Sequence, residues 1–404
     1  MQTSQSIPLS GTSRKAAKPM RKTFLPFSPP SISEEEIAAV VDTLRTDWIT
    51  TGPKTREFET VFCEYIGAPS ALALNSCTGA LHVALAALGI GPGDEVITTP
   101  MTFVSTANVI HQVGATPILA DVEPDTLNID PIQVAARITP RTKALLPVHY
   151  GGHPADMAPL LALAKAHNLF VIEDAAHAMP ATYEGQRIGT LGDFTAFSFY
   201  ATKNLTTAEG GMLTANPDRI QDARLWSLHG MNRDAWKRYS AEGSWYYEVV
   251  VPGFKYNMTD IQASIGMVQL KRLESFQQRR REIVAQYNAA FSQMPEVQPP
   301  TARPNVEHAW HLYVLRLHLD RLTINRSQFI EELKERNIGT SVHFIPVHLH
   351  PFYRETCGWM PEDFPVAYGE YQRTISLPLH PRLSVEDVND VIEAVQDVIT
   401  HYRC

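Results

Sequence analysis

The feature that most constrains this chain is an alternation of short apolar runs with stretches of helical periodicity, sustained from Ala71 to Ala215. Runs at Ala71–Leu74, Glu95–Thr98, Thr116–Ala120, Ala144–Val148 and Phe170–Ile172 have the length and punctuation of strands. Between them Thr78–Leu88, Val104–Val113, Pro131–Arg137 and Met157–His167 have helical spacing. Successive parallel strands need a crossover, which a helix supplies, so the pattern predicts an α/β fold with a mainly parallel sheet covered on both faces. Two more apolar runs, Thr195–Tyr200 and Gly211–Ala215, flank Lys203 and are expected as strands joined by a functional loop.

The alternation is preceded and followed by different patterns. Ser33-Glu34-Glu35-Glu36 matches a helix capping box, and Ile37, Val40, Val41 and Leu44 then form one apolar face. The DWITTGPK stretch (Asp47–Lys54) breaks that helix, and Phe58, Val61, Phe62, Tyr65 and Ile66 make a second face. Beyond residue 256 the chain reads as a long helix (Met258–Met294), a strand (His311–Leu317), a helix (Arg326–Asn337) and a terminal helix (Val385–Tyr402). Arg279, Arg280 and Arg281 are expected on a solvated or subunit-facing side of the long helix. We therefore expect a large domain over 31–256 and a smaller α+β domain over 257–404, which suits a chain of 404 residues.

Residues 1–30 are expected to be a disordered leader. The first stretch of the chain holds Arg14, Lys15, Lys18, Arg21 and Lys22 and, as far as Ser33, no acidic residue; this is a transit-peptide composition, but no apolar segment follows it. A net charge of -8 leaves no basic surface for a phosphate backbone, which argues against a nucleic-acid partner. No run approaches the roughly 18 apolar residues of a membrane span. Cys63, Cys77, Cys357 and Cys404 are scattered without a CxxC pair, as in a reduced, cytoplasmic chain with neither disulfides nor a zinc site.

In an open parallel sheet, ligands bind beyond the carboxyl ends of the strands. Three such places carry unusual residues. Asn75-Ser76-Cys77-Thr78-Gly79 joins a strand to a helix with small hydroxyl residues and glycine, a pattern that lets backbone N–H groups approach a phosphate. Many such turns hold nothing, and GxxxxGK[ST] and GxGxxG are both absent. Val171-Ile172-Glu173-Asp174 ends an apolar strand on two acids, either of which could hold a pyridine nitrogen protonated or simply cap the next helix. Lys203 lies in a small, hydroxyl-rich loop, where burial would make its amine nucleophilic toward an aldehyde. Each alone has an ordinary structural reading; together they point to a pyridoxal phosphate (PLP) site.

With these segments in view the chain resembles the DegT/DnrJ/EryC/StrS sugar aminotransferases, PLP enzymes of the aspartate aminotransferase-like type I fold. The resemblance runs from about Phe24 to the C-terminus and is carried by WITTGP, NSCTGALHVAL, GDEVITTPMTFVSTAN, PVHYGG, VIEDAAHA, FSFYATKN with AEGG, PGFKYNMTDIQASIG and HAWHLYVLR. Within the family, WITTGPK, ITPRTKA and ELKER-x-IGT are similar to the branch that forms UDP-4-amino-4-deoxy-L-arabinose for lipopolysaccharide. The resemblance implies that Lys203 holds PLP as a Schiff base and shuttles the proton. It also implies that Asp174 binds the pyridinium nitrogen, His177 sits near the phenolic oxygen, and Phe103 stacks on the ring. Thr78, Gly79 and Ser198 would cradle the phosphate, and Asn257 would reach it from the neighbouring subunit of a homodimer. It further implies amino transfer from glutamate, giving 2-oxoglutarate, to a nucleotide-linked (UDP in that branch) 4-keto sugar.

Alternatives stay open at this point: a TDP- or GDP-linked sugar, a 3-keto sugar, or a PLP-binding regulatory protein without turnover. No metal is expected. His343, His348 and His350 fit a strand and loop better than a metal cluster, the resemblance implying that this segment lies near the nucleotide-sugar pocket, and His149 and His311 fit a hydrogen-bonded core equally well. The Trp48–Pro53 loop is a candidate cover for the substrate.

Overall fold

In the computed structural model, which describes residues 21–231 and 246–404, the alternation builds a seven-stranded sheet. Its first five strands are β1 (Ser70–Leu74), β2 (Glu95–Thr98), β3 (Thr116–Leu119), β4 (Thr142–Leu146) and β5 (Phe170–Asp174). After a short hairpin, β6 (Thr182–Tyr183) and β7 (Gln186–Arg187), come β8 (Phe194–Ser198) and β9 (Gly211–Ala215). The spatial order is β1-β9-β8-β5-β4-β2-β3. β9 is antiparallel to both β1 and β8, whereas β2–β3, β2–β4, β4–β5 and β5–β8 are parallel. The expected α/β architecture is present, with element ends displaced by a residue or two from their sequence estimates.

Apolar residues fill both faces of the sheet, as its parallel character requires. All four residues of β2 are buried, and so are nine of the eleven in α3 (Cys77–Ala87). α3 follows β1 directly, with Ser76 as its N-cap, the hydroxyl accepting from the Gly79 N–H at 3.0 Å. β9 lies close to this turn because Gly211 has no side chain: a Cβ there would stand 2.5 Å from the Ser76 carbonyl carbon.

A second core forms around the far half of the long helix Asp260–Phe291, which contributes Ile283, Val284, Tyr287 and Phe291. They pack on the antiparallel strands β10 (Val297–Gln298), β12 (Tyr313–Leu317) and β13 (Thr374–Leu377) and on the helix Val385–Tyr402. Between β10 and β12 the chain returns to the first body, where β11 (Val306–Glu307) pairs with β6. The front half of the long helix packs instead on α1 (Glu34–Leu44) and α2 (Pro53–Ile66). One helix thus belongs to both bodies, and residue 257 is not a clean divide.

Several expectations need correction. Residues 1–20 of the expected leader lie outside the described residues, but residues 21–30 are not loose. Leu25 is buried in the second core and its backbone pairs with Asn337 and Gly339, while Arg21 meets Asp387 and Asp390 at 2.6 Å. The capping box of α1 is present, yet its apolar stripe is not its buried side: Ile37, Val41 and Leu44 are exposed. Glu36 is buried instead, because it takes hydrogen bonds from Ser33, Gln269 and Arg272. α2 begins at Pro53, inside the expected linker. Arg280 is buried rather than solvated, and donates to the carbonyls of Trp310 and Leu379.

Candidate active site

The carboxyl ends of β5 and β8, the turn before α3 and a loop from the second body enclose a cavity of about 520 Å3, large enough for a small-molecule ligand. β5 delivers Asp174 to it from its last position. Oδ2 accepts from the Thr106 hydroxyl at 2.8 Å and Oδ1 from the Ala176 N–H at 3.1 Å, with the Cys77 thiol 3.9 Å away. Burial pushes the carboxyl above its ordinary pKa, while the two donors and the Lys203 ammonium pull the other way.

Lys203 sits in the loop from β8 to β9, whose neck is closed by Phe199 N–H to Gly210 and Thr207 N–H to Phe199. Burial lowers its pKa to about 8, against the opposing pull of Cys77 and Asp174. An amine held there is partly neutral near neutral pH, and so can act as a nucleophile and a base.

Three histidines face the same space. Gly151 N–H donates to His177 Nδ1 at 3.3 Å, which leaves the ring hydrogen on Nε2. Gly152 makes this approach possible: it has φ +99°, and a Cβ would stand 2.8 Å from the His177 carbonyl oxygen. His311 packs on His177 with ring centroids 4.4 Å apart; its Nδ1 donates to Asn204 Oδ1, an amide oriented by the Ala309 carbonyl. His343 bonds Ser376 through Nδ1, and Tyr150 donates to its carbonyl. Burial lowers the pKa of all three, that of His343 to about 4, so the imidazoles stay neutral. Phe344 stacks on His177 and approaches Phe103 across the mouth.

The structure brings together Thr78, Phe103, Asp174, His177, Ser198 and Lys203 on this cavity. It does not bring Gly79 or Asn257. Gly79 lies one residue deeper in α3; its N–H is taken by Ser76 and a Cβ would meet Asn75 at 3.0 Å, so packing accounts for the glycine. Asn257 pairs with Leu74 at the outer edge of the sheet and donates to Thr51. The Trp48–Pro53 loop lies there too, anchored by Gly52 N–H to Asp260, and is not part of this cavity's lining. His348 is buried against Phe364 and His350 bonds the Ile345 carbonyl, so of the HFIPVHLH histidines only His343 lines the cavity. Among the described residues no group of three or more His, Cys, Asp or Glu could hold a metal.

Sequence reasoning missed Thr102, Thr106, Tyr200, Glu209 and Phe344 at or beside the site. Thr106 had a signal, since it falls one helical turn after Thr102 at the start of a helix beyond a strand. Phe344 had none: it arrives from the second body.

The family model of the DegT/DnrJ/EryC1/StrS aminotransferases matches residues 30–396. The chain belongs to this family. It is 55% identical over 381 residues to the spore coat polysaccharide biosynthesis protein SpsC of Bacillus subtilis, covering 94% of this chain and 98% of that protein. Among solved structures it is similar to the putative sugar aminotransferase Spr1654 from Streptococcus pneumoniae. The PMP form of that protein has a TM-score of 0.88 at 40% identity, covering 93% of this chain and 99% of that one, and its PLP form scores 0.87. PseC of Helicobacter pylori, an aminotransferase of pseudoaminic acid biosynthesis, gives 0.87 at 30% identity, covering 94% and 100%. The chain is thus a PLP-dependent sugar aminotransferase. Its residues fit that cofactor: a half-buried lysine of lowered pKa lining the cavity, a buried carboxylate with both oxygens held by donors, and a cavity of adequate size at the start of α3.

Proposed function

We propose that this enzyme moves an amino group from glutamate to the 4-keto carbon of a nucleotide-linked sugar, with UDP as the nucleotide. The observation that carries the reading is the convergence of Lys203, Asp174 and His177 on one cavity, with no other basic side chain than Lys203 among its described lining besides neutral imidazoles. When bound, PLP supplies an aldehyde carbon and an electron-accepting ring. Lys203 would carry the cofactor covalently between turnovers; released, its Nζ would move the proton from the donor's amine-bearing carbon to the cofactor's aldehyde carbon, and in the second half-reaction from that carbon to the sugar carbon. Asp174 holds positive charge at the ring nitrogen, and His177 presents an Nε2–H to the ring's oxygen. Thr78 and Ser198 bind the phosphate, with the N-terminus of α3 favouring its charge. Phe103, with Phe344 beside it at the mouth, would stack on the cofactor ring.

Asn257, which does not line its own chain's cavity, supports a homodimer in which it reaches the phosphate of the other subunit's cofactor. The identity to a spore coat polysaccharide protein supports a product used in a surface polysaccharide, lipopolysaccharide being the form implied by the resembled branch. Four unpaired cysteines suit a reducing compartment, the cytoplasm. No helix among the described residues is long and apolar enough to cross a membrane.

The test is purified enzyme with glutamate against a panel of UDP-, TDP- and GDP-linked keto sugars. We expect amination of a UDP-linked 4-keto sugar, formation of 2-oxoglutarate, and loss of turnover in Lys203→Ala together with the visible band of lysine-bound cofactor. Amination that survives in Lys203→Ala refutes the assignment of the lysine. Failure of every keto sugar, with no change of the cofactor spectrum on adding glutamate, marks a binding protein without turnover.

A further inference from the structure

The two oxygens of Asp174 are held by different kinds of donor. Oδ1 takes the Ala176 N–H at 3.1 Å, a backbone group that any residue but proline two places on would supply, with the weak Cys77 thiol donor farther off at 3.9 Å. Oδ2 takes a side chain from another element, the Thr106 hydroxyl in α4 (Ser105–Gln112), which has no surface exposed. A hydroxyl has one hydrogen. With that hydrogen on Asp174, the Thr106 oxygen must accept from Thr102, 2.8 Å away, so Thr102, Thr106 and Asp174 form a directed chain ending on the carboxylate.

We propose that Thr106 is a positioning residue of the aminotransferase: its hydroxyl turns the Asp174 carboxyl toward the cavity and keeps it anionic, so that a proton on the cofactor's ring nitrogen stays there. The proposal rests on the reading that Asp174 meets that nitrogen. A carboxyl buried at a strand end has lost the water that stabilises its charge, and a donated hydrogen bond replaces part of it. In a pair of ring nitrogen and carboxylate, the less basic the carboxylate, the more fully the proton belongs to the nitrogen. Removing the Thr106 hydroxyl makes the carboxylate more basic and draws the proton to oxygen. The other ionisable groups around Asp174 are Cys77 at the start of α3, Lys203 after β8, His149 after β4 and His177 after β5, and the same cavity is lined by Glu209, His311 and His343. All of them remain in a Thr106 variant.

The experiment reads the ring nitrogen directly. Holoenzyme is prepared with PLP carrying 15N in the ring, and the nitrogen's chemical shift is followed against pH for native enzyme, Thr106→Val, Thr106→Ser and Asp174→Asn. Native enzyme and Thr106→Ser should hold the nitrogen protonated over the same range. Thr106→Val should move the nitrogen's shift toward that of the unprotonated ring across the whole range in which native enzyme holds the proton, because the proton passes to the carboxyl oxygen rather than to solvent, and its kcat in the glutamate half-reaction should fall roughly 10- to 100-fold with little change in KM. Should Thr106→Val not fold, Thr106→Ala is read in the same way. A native titration in the hydroxyl-less variant, with the proton lost in Asp174→Asn, overturns the role of Thr106 alone. A nitrogen that stays protonated in Asp174→Asn overturns the reading beneath it.

Discussion

Glu173 and Asp174 are adjacent, both buried, and end the same strand, yet they sit in opposite electrostatic situations. The pleat sends them to opposite faces of the sheet. On one face the Glu173 carboxyl has no exposed surface and lies outside the cavity's lining: Oε1 accepts from Gly192 N–H at 2.8 Å and the Thr195 hydroxyl at 2.7 Å, and Oε2 meets His149 Nε2 at 3.0 Å. The Ala155 N–H on His149 Nδ1 fixes which nitrogen donates. On the other face Asp174 shares an open cavity with Lys203, and burial opposes charge on both. A satisfied buried acid holds a fold together. An acid in the wall of a cavity, beside an amine whose charge burial disfavours, is placed to meet a ligand.

The widest gap between the two acids should appear in activity. Asp174→Asn should lower kcat/KM by roughly 100- to 1,000-fold, because it removes a fixed charge at the cofactor, while thermal stability changes little. Steady-state assays paired with melting curves check both halves. Glu173→Ala should do the reverse. It leaves the His149 Nε2–H, the Thr195 hydroxyl and the Gly192 N–H buried without an acceptor, at about 3–5 kcal/mol in urea denaturation. The enzyme that remains folded should keep most of its turnover. If Glu173→Ala folds normally and loses turnover, the division between the faces is wrong.

Which face an acid takes was partly legible in advance. The residues of Val171–Asp174 alone left either acid free to meet the ligand, and the resemblance to the family chose Asp174 for the site. Nothing in the sequence showed Glu173 meeting His149, because that contact joins strand ends whose neighbours in space are set by the β5–β4 pairing. The same limit explains Phe344 and His343, which enter from the second body, where local patterns do not encode the docking. It also explains α1. Its stripe of Ile37, Val41 and Leu44 has helical spacing, but burial went to Glu36, whose partners Gln269 and Arg272 lie far away in the chain. Periodicity reports what a helix could bury, and polar partners elsewhere decide what it does bury.

The cavity face should also reveal itself through pH. Lys203 has a pKa of about 8 in the folded protein against an ordinary 10.5, so between those values the unfolded chain binds a proton that the folded one does not. Stability of the cofactor-free protein therefore rises with pH through that window, and below pH 8 the full cost of burying the ammonium is present. Lys203→Met, similar in length and uncharged, should be more stable than the native protein by roughly 1–3 kcal/mol at pH 7, after allowing for solvent in the cavity. The gain should shrink toward zero by pH 10.5. Urea unfolding at both pH values checks this. An equal gain at both would mean that packing, rather than charge, explains the effect.

The smallest change probes the closed face alone. Thr195 is buried, and its hydroxyl is one of the two donors to Glu173 Oε1. Valine keeps the shape and suits a strand, so Thr195→Val removes one hydrogen bond and little else. Glu173 would retain Gly192 N–H and His149, and the loss should be about 1–2 kcal/mol, the range for a hydrogen bond to a carboxyl offset by the better strand former. The melting temperature should fall while the cofactor's visible band, its affinity and kcat stay as in the native enzyme. Thr195 pairs with Thr214 of β9 and lies three residues before Ser198, so a shift of β8 along its axis would carry to the cofactor's phosphate side. A changed band or kcat at unchanged stability would show that the two faces of β5 act as one unit, with Glu173 setting the strand's position for Asp174 rather than only holding the fold.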